Sequence, residues 1–267
     1  MKRKKIKRRG AKLGQHFLTG TWAAHKLVEA AEIGPKDTVL EIGPGTGALT
    51  RELLKTGSRV VAIEKDGTLV GQLRSTFDTQ IEKGTLTVAP GDVRDLDLKA
   101  MRLGTYVLAA NIPYYITGEI IRQFLSADLQ PRTMALLVQK EVAERILARD
   151  GKESILSISV KAYGQPSIAA KVAKGNFNPP PSVDSAILVV KNISKEFFSD
   201  FSEEFFFEVV RAGFASKRKF LSSNLAKEYG RESVSTAFTS VGLSEKIRAE
   251  DVSLEQWKKI SELLSRH

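Results

Sequence analysis

Asn111-Ile-Pro-Tyr114 is the segment whose residue types point most directly to chemistry. The Asn111 side-chain oxygen and the Ile112 carbonyl, held by rigid Pro113, can both accept hydrogen bonds from one exocyclic amino group while Tyr114 stacks on the attached base. That arrangement suits methyl transfer to an amino nitrogen. Adenine N6 is a poor nucleophile because its lone pair is delocalised into the ring, and two acceptors draw it towards a pyramidal, available form. No strong base is required, so the protein's share is in-line positioning and electrostatic stabilisation.

A second constellation fits the other half of such a reaction. In Glu41-Ile-Gly-Pro-Gly-Thr-Gly47, glycines at alternate positions allow a sharp turn and a close ligand approach, with free N–H groups at a helix start. Glu64 lies 21 residues after Gly43, where an acidic side chain can accept hydrogen bonds from ribose hydroxyls. Asp92, in Gly91-Asp-Val-Arg-Asp95, can accept the amino hydrogens of an adenine. A dinucleotide fingerprint asks for Gly where Ala48 stands, a replacement its looser form tolerates. Gly43 to Gly47, Glu64 and Asp92 hold an adenosine without demanding a pyrophosphate site, which fits S-adenosylmethionine at least as well as NAD.

These residues need a scaffold that brings strand ends together. Apolar, β-branched runs at 38–42, 59–64, 85–89, 105–111 and 132–139 read as strands. Between them, Glu29 to Glu32, Ala48 to Lys55, Leu69 to Phe77, Ile116 to Leu125 and Val142 to Ala148 carry helical periodicity. Such alternation implies a parallel sheet covered on both faces, with ligands beyond the carboxyl ends of its strands. The runs 167–173 and 183–191, joined through Pro179, Pro180 and Pro181, predict a late hairpin-like strand pair. A polar stretch at Asn192 to Glu196 marks a boundary, beyond which only helical periodicity remains. The expected domains are a basic arm at 1–12, a Rossmann-like α/β domain at 13–192 and a small all-helical domain at 196–267.

The 267 residues contain 42% hydrophobic and 27% charged side chains, ordinary globular usage that excludes wholesale disorder and fibrous folds. No run approaches a membrane span, and no apolar segment follows the basic start as a secretory signal requires. The absence of cysteine removes thiolate nucleophiles, Fe–S clusters and Cys-type zinc sites and fits a cytoplasmic location. The histidines, His16, His25 and His267, form no ligand-spaced cluster, so no metal is expected. Net charge is +10, and residues 1–12 hold eight Lys or Arg without an acid. Such an arm repels itself and is expected to lack fixed structure until it meets a polyanion, with Lys4, Lys5, Arg8 and Arg9 as candidate RNA contacts. Arg211, Lys217, Arg218, Lys219 and Lys227 form a second basic run without an intervening acid, a candidate phosphate-contacting face.

Taken in order, these motifs resemble those of the rRNA adenine N6,N6-dimethyltransferases. Gly14-Gln-His-Phe-Leu18, Glu41 to Thr50, Glu64, Gly91-Asp92, Asn111 to Tyr114 and Asn176-Phe-Asn-Pro-Pro-Pro-Ser-Val-Asp-Ser185 carry the likeness, from about residue 10 to residue 225. The resemblance implies an S-adenosylmethionine-dependent methyltransferase fold with a C-terminal helical domain that grips RNA. Carried over by position, His16 and Leu18 with Gly43 line the methionine part of the cofactor, His16 standing where Asn is common in the family, and Gln15 and Gly45 also bind the cofactor. Glu64 then holds the ribose, Asp92 and Val93 the adenine, and Asn111 faces both the cofactor and the target N6. Tyr114 and Phe177 sandwich the flipped adenine.

Within that resemblance, the Tyr-Ile-Thr after Tyr114 and the long C-terminal portion favour the branch that dimethylates two adjacent adenines in the 3′-terminal hairpin of small-subunit rRNA. Its expected partner is the immature small subunit, and the protein is expected to act as a monomer. The other branch modifies one adenine of large-subunit rRNA and confers macrolide-type resistance. Readings from other classes are a ribosome-assembly factor with little catalysis, against which Glu64, Asp92 and Asn111 to Tyr114 stand, and an NAD-dependent oxidoreductase, which leaves Asn-Ile-Pro-Tyr unexplained.

Overall fold

A computed structural model describes residues 15–265; Lys4, Lys5, Arg8 and Arg9 lie outside them. The chain divides into two compact units, one running through Ala143 and including Ser167–Ile193, the other made of Glu144–Pro166 and the chain from Ser194 onward.

The first unit is an α/β layer structure. Its elements in chain order are β1 (Phe17–Leu18), α1 (Trp22–Ala30), β2 (Thr38–Ile42), α2 (Ala48–Lys55), β3 (Arg59–Glu64), α3 (Gly67–Thr76), α4 (Asp78–Glu82), β4 (Leu86–Pro90), β5 (Tyr106–Asn111), α5 (Thr117–Ser126) and β6 (Thr133–Gln139). Helices α6 (Lys140–Ile146) and α7 (Ile155–Tyr163) follow, then β7 (Gln165–Val172), β8 (Phe177–Asn178) and β9 (Ser185–Lys191). Seven strands form one sheet in the order β4-β3-β2-β5-β6-β9-β7. The first five are parallel neighbours, and β9 runs antiparallel to β6. Val107, Leu108, Ala109 and Ala110 on β5 and Met134 to Val138 on β6 are buried, as a sheet covered on both faces demands. The strand order turns at β2, which pairs with β3 on one side and β5 on the other. At such a switch point the loops after two neighbouring strands part and leave a crevice. The loop at Gly43 and the loop at Asn111 are those two loops.

The sequence pattern places the main strands within about two residues of these bounds and leaves three features out. Helix α1 begins at Trp22, well before the expected Glu29, because Ala23, Ala24, Leu27 and Val28 bury one helical face. Helix α7 has no expected counterpart; Ser154 caps it, its side chain accepting from Ser157 N–H while the Ser157 hydroxyl takes the Ser154 N–H. The two-residue strands β1 and β8 are too short to show a period, and they pair antiparallel, Phe17 with Asn178 and Leu18 with Phe177.

The second unit is helical: α7 with α8 (Glu203–Gly213), α9 (Leu221–Tyr229), α10 (Arg231–Val241) and α11 (Leu254–Leu264). Trp257 is its fully buried centre, stacked near Phe214 at 5.7 Å and pressed so closely on Gly213 that a Cβ there would lie 2.3 Å from the indole. The polar stretch at Asn192 to Glu196 predicts a single boundary, whereas Glu144–Pro166 also belongs with the helices. The physical reason is α7, which buries Ile158 and Val160 and packs on α8 and α11.

Candidate active site

Two adjoining hollows open at the switch point and share Gln15, Gly43 and Pro113 in their walls. Their cavity volumes are about 40 and 80 Å³, so both are shallow clefts beside the roughly 300–1,000 Å³ usual for small-molecule sites. The smaller is bordered by His16, Phe17, Asn111, Ile112 and Tyr114, the larger by Glu64, Lys65, Asp92, Val93, Arg94 and Tyr115.

The smaller chamber is organised by Asn111, the last residue of β5. Its Nδ2 donates to the His16 carbonyl at 2.8 Å, and because a carbonyl can only accept, this bond sets which way the amide faces. The Asn111 Oδ1 and the Ile112 carbonyl then have no donor among the described residues. The Ile112 side chain itself is buried, which leaves its backbone to face the chamber. The Tyr114 hydroxyl lies 2.7 Å from Ser185 Oγ, fixing the ring, and burial pushes its pKa up. His16 Nδ1 sits 2.7 Å from the Pro179 carbonyl, so that nitrogen carries a proton, and its ring lies 5.7 Å from that of Tyr114. His16 thus ties the entering chain to both the β5 loop and the proline segment.

Two residues expected at the site do not border either hollow in this structure. Phe177 is 3% exposed and packs in the core across from Leu18. Leu18 belongs to the same core and borders neither hollow. The antiparallel register of β1 and β8 turns both side chains inward and puts Phe17 at the chamber instead. Phe17 lies flat against Gly45, where an added Cβ would stand 2.8 Å from the ring. The signal for Phe17 was its place in Gly14-Gln-His-Phe-Leu18 beside an unassigned glycine.

The larger cleft is built for a polar ligand. Glu64 is 2% exposed, yet its carboxylate borders the cleft: Oε2 accepts the Gly45 N–H at 3.0 Å and Oε1 the Asp66 N–H at 2.9 Å. Each oxygen keeps one lone pair for a hydroxyl donor. Gly43 has φ +64°, and a Cβ there would meet nothing within 4 Å, so its bare backbone faces open space in a conformation that favours glycine. Asp92 is more heavily engaged than its sequence role suggests. Oδ1 accepts from Arg94 N and Nε, and Oδ2 from Lys65 Nζ and an Arg94 guanidinium nitrogen, at 2.6 to 3.1 Å. These bonds hold its carboxyl well below the usual carboxylate range. Lys65, Arg94 and Tyr115 went unassigned in the sequence.

Beneath the cleft, Glu41 is buried with only Thr50 as partner, which donates to Oε2 at 2.7 Å; Oε1 has none. Burial, aided by the nearby Glu64 charge, pushes its pKa up to about 8.

In the helical unit, Arg211, Lys217, Arg218 and Lys219 are all exposed. Lys217 and Lys219 border a depression together with Arg145 and Arg248, two cations that lie far away in sequence. The acids there are already engaged, Glu153 with Lys161 and Glu250 with Lys152.

Comparison with known proteins fits this geometry. The model of the ribosomal RNA adenine dimethylase family matches residues 6–266. The chain belongs to that family. Among adenine dimethylase relatives, "Ribosomal RNA small subunit methyltransferase A" of Dehalococcoides mccartyi strain CBDB1 is 40% identical over 255 residues, covering 93% of this chain and 86% of the relative. The protein of the same name from Thermosynechococcus vestitus is 37% identical over 260 residues, covering 95% and 96%. Among solved structures, the 23S rRNA methyltransferase ErmE superposes with a TM-score of 0.77 at 26% identity, over 93% of this chain and 99% of that one. A dimethyladenosine transferase from Plasmodium falciparum gives 0.75 at 26% identity, over 92% and 96%. The mostly parallel sheet with its late antiparallel strand is the Rossmann-like methyltransferase fold of the adenine dimethylases.

Proposed function

We propose that this protein transfers methyl groups from S-adenosylmethionine to N6 of two adjacent adenines in the 3′-terminal hairpin of small-subunit rRNA, giving N6,N6-dimethyladenine during ribosome biogenesis. The observation that carries the chemistry is the pair of unclaimed acceptors, Asn111 Oδ1 and the Ile112 carbonyl, beside Tyr114. Relatives at 35 to 40% identity named for the small subunit favour that substrate over large-subunit rRNA. The site of action is the cytoplasm, on the immature small subunit, with the protein acting as a monomer.

The cleft fits the cofactor. Glu64 has lone pairs for the ribose hydroxyls, Asp92 offers a carboxylate for the adenine amino group, Val93 an apolar contact, Gln15 and Gly43 line both hollows, and Gly45 and His16 line the smaller. When bound there, the cofactor supplies an electrophilic methyl on sulfur. Everything else is positioning. Asn111 Oδ1 and the Ile112 carbonyl accept hydrogen bonds from the N6 hydrogens and draw the lone pair out of conjugation. As the methyl–nitrogen bond forms and the methyl–sulfur bond breaks, the nitrogen gives up one proton to solvent, while Tyr114, pinned through Ser185, holds the flipped base. Phosphates are met by Lys217 and Lys219 with Arg145 and Arg248, by exposed Arg211 and Arg218, and by the basic residues at the start of the chain.

The test is transfer of labelled methyl from S-adenosylmethionine to undermethylated small subunits, large subunits and protein-free large-subunit rRNA in parallel, with the product nucleotide located. Dimethyladenine in the small-subunit hairpin alone is expected. Label in large-subunit rRNA would move the protein to the other branch, and cofactor binding without label anywhere would favour an assembly factor. Asn111→Ala should lower turnover by about 100-fold or more and leave RNA binding in place; near-normal turnover would remove the acceptor role.

A further inference from the structure

Tyr115 follows the acceptor segment directly and has no part in the chemistry above. It lies in the 3₁₀ turn Tyr114–Ile116, in which successive side chains diverge by about 120°. The two tyrosines consequently face different hollows. Tyr114 borders the acceptor chamber, and Tyr115 borders the cleft of Glu64 and Asp92, where it is the sole aromatic lining residue. At 71% exposure it is the most exposed of the large hydrophobic side chains among the described residues, while Ile63 and Val93 in the same cleft are 3% and 6% exposed. Among the described residues, no ring contact or hydrogen bond holds its side chain. A ring so exposed gains little from folding, and most of its apolar surface is free to pack on whatever enters the cleft.

The cleft specifies what that occupant is. Buried Ile63 and Val93 provide apolar surface, Glu64 provides acceptors for hydroxyl hydrogens, Asp92 provides one for an amino group once Lys65 or Arg94 yields its place, and the aromatic ring provides a stacking face. A nucleoside combines a flat heteroaromatic ring, an amino group and ribose hydroxyls, and so uses all three. We propose that Tyr115 is the outer wall of the nucleoside site, closing over the adenine of the cofactor by stacking. This rests on the cofactor reading given above. Tyr115 is a positioning residue: it touches the adenosine portion and no reacting atom.

Isothermal titration of S-adenosylhomocysteine and of adenosine into the full-length protein, without RNA, provides the test. Tyr115→Phe should bind both as the parent does, because stacking needs only the ring. Tyr115→Ala should weaken both by about tenfold, the same factor for each, since the methionine portion is not involved. The melting temperature should be unchanged in both variants, as expected for a side chain that folding does not bury. Tyr115→Trp adds a third tryptophan to Trp22 and Trp257, and its fluorescence should be quenched by S-adenosylhomocysteine beyond any change in the parent. Parental affinity in Tyr115→Ala, with a raised KM for RNA, would overturn the proposal and assign the ring to the nucleic acid. A parent protein that binds no S-adenosylhomocysteine would instead overturn the cofactor reading, and the proposal with it.

Discussion

Two carboxylates of the nucleoside end show how far environment decides the behaviour of a residue type. Glu41, buried with one oxygen unpartnered, has its pKa pushed up to about 8, while Asp92, ringed by Lys65 and Arg94, is held below the usual range. The raised value means that the folded state binds a proton that the unfolded state has released above its ordinary value of 4.5. The stabilisation from protonated Glu41 is therefore complete below pH 4.5 and is lost as pH rises towards 8. Glu41→Gln keeps an acceptor for Thr50 and carries no titrating proton. Its melting temperature should gain on the parent's between those pH values, and parallel melting curves across that window would count against a buried acid. For Asp92, the lone-pair positions are filled, so the proposed adenine amino group must displace Lys65 or Arg94. Such exposed ion pairs are worth about 0.2–1 kcal/mol. Arg94→Ala should accordingly bind S-adenosylhomocysteine up to about fivefold more tightly at low salt, as read by titration.

At the scale of elements, the glycine turn does two separate jobs. Gly43 keeps backbone open to the hollows, whereas Gly45 lets Phe17 pack close and Gly47 lets α2 start close against α3. A Cβ at Gly47 would lie 2.6 Å from the Phe77 ring, in a backbone with φ +82°. Gly47→Ala combines left-handed strain with overpacking and should cost about 2–4 kcal/mol of stability, measured as a fall in urea midpoint. The β1–β8 pair has a comparable organising effect. By seating Leu18 and Phe177 in the core it carries His16 and Phe17 to the chamber wall, where the His16 carbonyl orients Asn111.

At the scale of the whole molecule, charge is concentrated where it can meet a polyanion. Residues 1–12 carry eight of the 41 basic side chains, and the helical unit gathers four more around one depression. Each phosphate contact adds about 0.7–0.9 to the slope of log affinity against log salt. Deleting residues 2–9 should weaken RNA binding and flatten that slope, and Lys217→Ala with Lys219→Ala should flatten it by up to about two contacts' worth. An unchanged slope in either case would exclude that group as a phosphate clamp.

The strand–helix alternation, the glycine turn, and Glu64, Asp92 and Asn111 to Tyr114 as candidates are legible in the amino-acid sequence. Each is written in local terms: a hydrophobic period, a run of glycines, or a residue at a strand end. Facts about neighbours distant in the chain come from the folded packing alone. The core position of Phe177, the entry of Phe17, the Arg145 and Arg248 partners of Lys217 and Lys219, and the transfer of α7 to the helical unit all belong here. A two-residue strand has no period to read, and a cation far away in sequence has no spacing. Which face of Phe177 meets a core and which face of Tyr115 meets open space follows only from how the elements pack.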